Sequence, residues 1–393
     1  MRIAVLTSGI LPIPAVKGGA VENLIDFYLE YNEKHRLHNI TVYSVSDPLT
    51  KNHPALNSDI NHYHYIEIWS IWSKIRKHIH KFIHGEDYYH YTIEYYLYQA
   101  LKDIRKKNYD IVLIENRPGY TLKVADFTKG KIVIHLHNDF LNKDTKNATN
   151  IYSNAWRIIT VSDFISNQVK TIENNDNKCI TVNNGISLHD FSTTHSKPQS
   201  RSSLGLTNED FVIVYSGRIN KDKGIAELVE AITLLKSYNN IKLLVIGGSF
   251  FGDNNNDNPY ITSLKKMAQQ LGDRIVFTGF VPYSMVPGYL KIADIAVIPS
   301  QWEEPFGLTC LEAMAMGLPI IATKRGGIPE ILKDHFAIVL QTGSDFVKNL
   351  SERIVELYKN PAKRKEMGQA SFLESQKYDK EKYAEEFFKA LTY

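Results

Sequence analysis

Short apolar runs rich in Ile and Val alternate with amphipathic helical patterns along the chain, and this alternation limits the possible folds more than any other feature. In the first half the runs are RIAVLTS, ITVYSV, DIVLIEN, KIVIHLHN, RIITVS and CITVNNG. Runs of this length without strict polar alternation are typical of parallel strands that crossover helices bury on both faces. The sequence therefore predicts a doubly wound parallel α/β sheet.

The alternation pauses once and then restarts. The polar stretch STTHSKPQSRSS is followed by the runs FVIVYSG, KLLVIGG, RIVFTGF, DIAVIPS, PIIAT and FAIVL. Because 393 residues exceed the size at which one core keeps growing, we expect two Rossmann-like domains, at 1–195 and 205–375. The polar stretch is the predicted connection, and a final helix at about 376–393 is expected to pack back on the first domain. Two such sheets are expected to face a central cleft at the carboxyl ends of their strands.

Composition restricts the setting. A net charge of +3 is too small to indicate nucleic-acid binding. The two separated cysteines, Cys179 and Cys310, fit a reducing compartment and predict neither a disulfide framework nor a metal cage. The sequence has no run of about 18 uninterrupted apolar residues, as a transmembrane helix would need, and no signal-peptide pattern. We expect a cytoplasmic protein.

Glycines and basic residues follow the first strand of each predicted domain. Gly18 and Gly19 stand before an amphipathic helix in LPIPAVKGGAVENLIDFYL, and YSGRINKDKG carries Gly217, Arg218 and Lys223. Two interpretations remain open: the glycines serve a tight turn and the cations are solvated, or the helix N-terminus admits a phosphate that the cations neutralise. Neither stretch has the dinucleotide or P-loop pattern.

The segment QWEEPFGLTCLEAMAMGLPI, residues 301–320, changes character midway. Pro305 and Gly307 prevent a helix interior in the first half, whereas LTCLEAMAM favours one. Glu304 and Glu312 therefore lie in a loop and in the helix that follows it. A helix N-terminus offers unpaired N–H groups and a positive dipole, which suit hydroxyls and phosphates.

Several motifs together resemble a known family. GRINKDKG, NNGI, GFVP, EPFGLTCLE and GLPIIATKRGGIPEIL are similar, in spacing, to family 4 of the retaining glycosyltransferases, which have the GT-B fold. The resemblance is strongest over 211–332, and VKGGAVENL, HLHND and ITVSDFI match more loosely. It implies that the second domain binds a nucleotide-sugar donor and that the first binds a variable acceptor.

The resemblance also implies roles for individual residues. Glu304 would hold the transferred sugar, Glu312 the ribose hydroxyls, and Arg218 and Lys223 the phosphates. His137 would reach the donor sugar, although His135, two positions earlier, points to the same face of an ideal strand and stays an alternative. The implied catalytic residues are His137, Glu304, Arg218 and Lys223, and the implied donor-binding residues are Gly18, Gly19, Gly217, Phe280, Val281, Pro305, Phe306, Gly307, Leu308 and Glu312.

The function that the resemblance implies is transfer of a hexose, with retention, from a nucleoside-diphosphate sugar, most simply a UDP-sugar, to a cell-envelope polysaccharide or glycolipid. Cations and N–H dipoles that are already in place would stabilise the charge on the leaving diphosphate, so we expect no cofactor and no metal. The alternatives are a GT-B sugar-nucleotide epimerase or phosphorylase, and a catalytically silent sugar-nucleotide-binding protein.

A basic, aromatic segment of the first domain carries a separate expectation. In 69–84 apolar residues recur at helical spacing among lysines, Arg76 and histidines, after Trp69 and Trp72. Such a helix either packs on the domain with a solvated basic face or docks on anionic lipid at the inner face of the membrane. The second interpretation predicts a peripheral membrane enzyme.

Overall fold

The computed structural model describes residues 1–84, 88–248 and 259–392, except for the side chains of residues 80, 83 and 84. It divides into two compact units, one of residues 1–184 and 380–393 and one of residues 185–379. Residues 185–195, which the sequence analysis placed in the first domain, lie in the second unit. The stretch FFGDNNNDNPY, rich in Asp and Asn, falls almost wholly on 249–258, outside the described residues.

The supposed connection at 192–203 is part of the second unit because its backbone and side chains are bonded there. The Gln199 amide donates to the Gly288 carbonyl at 2.9 Å, and the Arg201 guanidinium donates to the Ile292 carbonyl at 2.7 Å. A polar composition marks surface chain, but it does not show whether that chain packs on a domain.

The first unit is built on a seven-stranded parallel sheet in the order β3-β2-β1-β4-β5-β6-β7. Its strands are β1 Arg2–Leu6, β2 Asn39–Val45, β3 Asn61–Ile66, β4 Ile111–Glu115, β5 Lys131–Leu136, β6 Arg157–Thr160 and β7 Cys179–Thr181. Every residue of β4 is buried, as expected of a strand covered on both faces. The strand order reverses between β1 and β4, and ligands of such sheets bind at the carboxyl ends of the strands beside this switch point.

Helices on the first sheet follow the predicted amphipathic patterns. In chain order they are α1 Ala20–His35, α2 Ile71–His84, α3 Tyr91–Ile104, α4 Thr121–Val124, α5 Ala148–Asn154 and α6 Asp163–Lys170. α1 begins directly after Gly19, which has a φ of 116°, a value that favours glycine. None of the described helices is long and apolar enough to cross a membrane.

The second unit repeats the architecture on a six-stranded parallel sheet in the order β10-β9-β8-β11-β12-β13. The strands are β8 Phe211–Ser216, β9 Ile241–Ile246, β10 Ile275–Gly279, β11 Ile295–Ile298, β12 Ile320–Thr323 and β13 Ala337–Leu340. The helices are α7 Ile225–Thr233, α8 Pro259–Ala268, α9 Val286–Leu290, α10 Leu308–Ala315, α11 Ile328–Ile331, α12 Phe346–Lys359 and α13 Pro361–Ser375. Here β8 and β11 flank the switch point.

The last helix, α14 (Lys380–Thr392), belongs to the first unit. The aromatic residues that the sequence shows near the end of the chain pack on α1: Phe387 is fully buried and its ring stacks on Tyr28 at 4.5 Å between centroids. Tyr28 also meets the edge of Phe388. This aromatic contact holds the C-terminal segment on the first sheet.

Candidate functional site

The loops that follow β8 and β11 are bonded to each other at the switch point of the second sheet. The backbone amides of Gln301 and Trp302 both donate to the Asp222 carbonyl, at 2.8 and 3.1 Å. Gly224, which caps α7 with a φ of 69°, lies so close to this loop that a Cβ atom would be 1.8 Å from the Pro299 carbonyl oxygen. Glycine at 224 therefore lets the two loops meet.

A basic and an acidic residue pair where these loops meet. The Lys223 ammonium lies 2.6 Å from Oε1 of Glu304, and the Ser300 hydroxyl donates to the same oxygen at 2.7 Å. Ser300 is fixed in turn by its carbonyl, which accepts from Thr323 at 2.6 Å. Sequence reasoning missed Ser300, because a lone serine after an apolar run has no distinguishing pattern.

The neighbouring acid, Glu303, has a different environment. Its carboxylate accepts from the Arg325 guanidinium at 2.6 Å and from the Gly326 amide at 2.5 Å. The Glu304 backbone carbonyl accepts from the Gly327 amide at 2.7 Å. These bonds fix the loop so that Glu303 points to the 325–327 turn while Glu304 points to Lys223, which separates two acids that the sequence distinguished only by spacing.

Arg218 stands in the loop after β8 and its side chain is exposed. Among the residues that the structure describes, no carboxylate forms an ion pair with its guanidinium. Its backbone is held by the Tyr215 hydroxyl, which donates to the Arg218 carbonyl at 2.7 Å, and Gly217 before it has a φ of 150°. A guanidinium whose backbone is held in place and whose N–H groups are exposed is suited to bind a phosphate.

The N-terminus of α10 lies four residues after Glu304. Gly307 precedes the helix with a φ of 109°, and no side chain caps it. Phe306 is buried beside Tyr378, so from this position only its backbone can serve a ligand. Pro305 and Leu308 are half-buried. The arrangement leaves backbone N–H groups of the first turn for a ligand, as the sequence predicted.

Within α10, Glu312 is buried, with 6% of its surface exposed. Burial raises the pKa of this carboxyl to about 7, and a hydrogen bond from Tyr283 opposes the rise. A carboxyl in this state takes up or releases a proton near neutrality. Tyr283 is a site residue that sequence reasoning missed, since it lies 29 positions from its partner in a segment without helical periodicity.

The predicted base-lining residues, Phe280 and Val281, lie directly after β10 and are half-buried. Gly279, the last residue of β10, has a φ of 71°. A Cβ atom added to it would have no atom within 4 Å. This segment lies at the carboxyl edge of the second sheet, as do Arg218 and Glu304.

In the first unit the glycine pair precedes α1. A Cβ atom on Gly18 would meet nothing within 4 Å, whereas one on Gly19 would lie 2.2 Å from Oε2 of Glu22. Burial raises the pKa of Glu22 to about 7. The expected diphosphate contact of Gly19 would therefore have this carboxyl as a neighbour, a feature that the glycine pattern alone did not reveal.

The two histidines of HLHND share one buried carboxylate. His137 Nε2 lies 2.9 Å and His135 Nδ1 lies 3.1 Å from Oε2 of Glu115, and the Tyr28 hydroxyl donates to Oε1 at 3.0 Å. Sequence reasoning missed Glu115, although the acid ending DIVLIEN beside a strand with His-x-His could have indicated it. These side-chain atoms of Glu115, His135 and His137 lie within 4.8 Å of one another, close enough for one cation.

Comparison with known proteins identifies the family. Residues 196–373 match the family model described as glycosyl transferases group 1. The second unit therefore carries a group 1 glycosyl transferase domain. It is 26% identical over 388 residues to spore coat protein SA of Bacillus subtilis (strain 168), spanning 96% of this chain and 95% of that protein. It is 30% identical over 208 residues to a lipopolysaccharide 1,2-N-acetylglucosaminetransferase of Salmonella typhimurium, spanning 52% of this chain and 51% of that protein.

Solved structures confirm the fold. Anabaena Alr3699/HepE in complex with UDP-glucose superposes with a TM-score of 0.75 at 18% identity, covering 100% of this chain and 99% of that one. The expected GT-B fold with two Rossmann-like units is thereby confirmed, and so is the resemblance to glycosyltransferases. This protein is a glycosyltransferase.

Proposed function

We propose that this glycosyltransferase moves a hexose, with retention of anomeric configuration, from a nucleoside-diphosphate sugar to a polysaccharide or glycolipid of the cell envelope. The observation that carries the proposal is the group at the switch point of the second sheet: the exposed Arg218, and Lys223 paired to Glu304 in front of the uncapped N-terminus of α10. Departure of a nucleoside diphosphate develops negative charge on its phosphates, which these cations and dipoles would stabilise.

A UDP-sugar is the first donor to test, because HepE was crystallised with UDP-glucose. The transferase of Salmonella typhimurium acts on lipopolysaccharide by its name, which supports an envelope acceptor. Glu312 would accept the ribose hydroxyls and Glu304 would hold the sugar. We assign no protein nucleophile, and a front-face route would let the leaving phosphate take the acceptor proton.

A screen of nucleotide sugars tests the donor. A ligand at about 100 times its dissociation constant adds roughly 2.7 kcal/mol to stability, which a thermal shift detects. The stabilising donor is then incubated with an alcohol acceptor, and the anomeric configuration of the product is read by NMR. An inverted product contradicts retention, an epimerised nucleotide sugar supports the epimerase, and donor binding without turnover indicates a silent binding protein.

We also propose that turnover needs no divalent metal, because Arg218 and Lys223 would supply the positive charge that a metal supplies elsewhere. The acidic stretch DNNNDN, the nearest approach to a metal-binding Asp-x-Asp, lies outside the described residues. Activity is expected to be unchanged in EDTA. Complete loss in EDTA, with recovery on adding magnesium or manganese, would contradict the proposal.

A membrane surface is the partner we propose for α2. The helix turns two polar positions inward, Ser73 and Lys77, which are 3% and 6% exposed. Its apolar stripe faces outward: the residues exposed there, with Trp69 just before the helix, are Ile71, Trp72, Ile75, Ile79 and Phe82. This orientation is the reverse of a helix that serves the core of its own domain.

Charge on the same helix selects the kind of surface. Lys74, Arg76 and Lys81 are exposed and, at 100° per residue, flank the apolar stripe on both sides. An apolar stripe between cations suits a headgroup boundary with anionic lipid, where each cation adds about 1 kcal/mol. Lys77 does not contribute, because it is turned toward the domain and only 6% of it is exposed.

Vesicle sedimentation tests this partner. Binding is expected with phosphatidylglycerol-containing vesicles, to weaken with salt, and to fall about 100-fold when Lys74, Arg76 and Lys81 become Gln. In the matched control, three exposed lysines of the second unit become Gln: Lys236, Lys348 and Lys365. This variant should bind the vesicles as the wild type does. Equal binding to pure phosphatidylcholine, or binding to neither vesicle, would exclude the anionic surface.

A further inference from the structure

A buried carboxylate sets the hydrogen positions on both histidines of the first unit. Glu115 ends β4 and pairs in register with His135 on β5, while His137 follows two positions later on the same face. Glu115 and His135 are fully buried and His137 is 6% exposed. Three donors, His135, His137 and Tyr28, converge on the two carboxylate oxygens.

The proton on His137 follows from this geometry. Burial alone would raise the pKa of Glu115, but the two histidines beside it lower that pKa to about 2, so the carboxylate accepts and does not donate. The nitrogen that faces it, His137 Nε2, must carry the hydrogen. Burial lowers the pKa of His137 to about 4, so the ring is neutral at pH 7 and Nδ1 keeps its lone pair.

That lone pair has no partner among the described residues: His137 Nδ1 is buried without a hydrogen bond. A buried acceptor left unpaired is costly, and a ligand that donates a hydrogen would satisfy it. The opposite tautomer would present N–H at the same position, where a carboxylate, a phosphate or a hydroxyl oxygen could accept. The residue that fixes the tautomer therefore fixes whether His137 accepts a hydrogen from its ligand or donates one.

We infer that Glu115 is a positioning residue that holds His137 in the tautomer with hydrogen on Nε2, so that Nδ1 accepts a hydrogen bond from a hydroxyl of the transferred sugar. The contact with the sugar rests on the proposed function. The tautomer of His137 rests only on the geometry of the first unit. It predicts that a donor lacking the contacted hydroxyl is a poor substrate, since the acceptor would stay unpaired.

A bound cation is the competing interpretation of the same three side chains. A metal held by Glu115, His135 Nδ1 and His137 Nε2 would move the hydrogens to the other ring nitrogens. His135 Nε2 and His137 Nδ1 are both buried without a partner, so both N–H groups would lack acceptors. In the hydrogen-bonded arrangement the same two nitrogens are unpaired acceptors, but every N–H group of both rings is paired with the carboxylate. Buried N–H groups without an acceptor are the rarer of the two defects, which is why we infer a positioned histidine and no metal.

Nitrogen-15 NMR of histidine-labelled protein decides the tautomer without any assay of activity. The His137 signal, assigned by its loss in His137→Gln, is expected to show an unprotonated Nδ1 and a protonated Nε2. A protonated Nδ1 overturns the inference, and a His137 spectrum that changes on chelation and returns with zinc supports the cation. The wild type alone gives this result, even if a Glu115 variant fails to fold.

Kinetics then tests the link to the sugar. With the donor found by screening, each of its deoxy analogues is compared in wild type, Glu115→Gln and Tyr28→Phe. One deoxy position is expected to lower kcat/KM by about 10-fold or more in wild type, and this discrimination should shrink in Glu115→Gln while the NMR pattern of His137 becomes mixed. Tyr28→Phe removes the third donor to Glu115 and should change neither readout.

The outcomes separate the two proposals. If Glu115→Gln alters the tautomer of His137 but still discriminates against the deoxy donor as strongly as the wild type does, the role of Glu115 is overturned. If Glu115→Gln and Tyr28→Phe change the discrimination and the His137 NMR pattern equally, Glu115 contributes only to packing. If no nucleotide sugar is turned over, the proposed function fails and the sugar contact fails with it, while the NMR result still decides the tautomer.

Discussion

The Lys223 ammonium lies 2.6 Å from Oε1 of Glu304, and this contact joins residues that are 81 positions apart. The resemblance to known glycosyltransferases assigned the two side chains to different parts of the donor. In the structure each is the partner of the other, with Ser300 as a further donor to Glu304. Either residue is therefore expected to position the other as well as the substrate.

The first prediction is a double-mutant cycle on this pair. Lys223→Ala and Glu304→Ala should each lower kcat by about 100-fold or more, and the double variant should lose far less than the product, because the two act as a unit. Each single variant should also lower the melting temperature, since it leaves a half-buried charge unpaired. Glu209→Gln, at an exposed acid of the second unit outside these loops, is the control and should retain near wild-type turnover; strictly multiplicative losses would show that the pair is not coupled.

Arg218 is expected to behave differently from Lys223. Its side chain is exposed, so Arg218→Ala should change the free energy of unfolding by no more than about 0.5 kcal/mol, while kcat falls by about 100-fold if the guanidinium stabilises the leaving diphosphate. Lys221→Ala, an exposed cation of the same loop, should have little effect on kcat. Similar rates for both variants would remove Arg218 from the site.

Glu312 predicts a pH-dependent stability. Burial raises its pKa in the folded state from the ordinary value of 4.5 to about 7, so the folded state binds the proton more tightly than the unfolded state does. Its contribution is most favourable below pH 4.5 and is lost as pH rises through 7, at a cost of about 3 kcal/mol. Glu312→Gln should be more stable than wild type at pH 8 and similar near pH 4.5. An unchanged difference across this range would contradict the shifted pKa.

The same carboxyl predicts a pH-dependent affinity for the donor. Ribose hydroxyls donate to the ionised form, so a nucleotide sugar should bind more tightly as pH rises through 7 and should release a proton from Glu312 on binding. A nucleotide sugar is used because free UDP has a phosphate that itself titrates near pH 6. Calorimetry in buffers of different ionisation enthalpy measures the release. Proton release that is equal in Glu312→Gln would assign the effect to another group.

The C-terminal helix should contribute strongly to the stability of the first unit. Phe387 is fully buried and stacked on Tyr28, so Phe387→Ala is expected to cost about 3–5 kcal/mol in denaturant unfolding. Phe82→Ala is the matched control: its side chain is 93% exposed, and the same change should stay within about 0.5 kcal/mol. Comparable losses in the two variants would contradict the packing.

Local sequence patterns carried much of the fold. The runs that became β1, β4, β8 and β11 are short, apolar and continuous, and burial on both faces of a parallel sheet requires that pattern. Gly217, Arg218 and Glu304 could be proposed as site residues because each lies in the loop after a predicted strand, and parallel strands end at one edge of a sheet.

Tertiary structure decided the features that depend on which segments become neighbours. The stripe of α2 was visible as a period, but a period does not say which side faces the domain, and here Ser73 and Lys77 face inward. Lys223 meets Glu304, and Glu115 meets His137, because strand order places β8 beside β11 and β4 beside β5. The sequence by itself determined the two sheets and the chemical character of their loops, since those follow from local burial. Which side chains pair, and therefore their charge and tautomer, was decided only by the packing of distant segments.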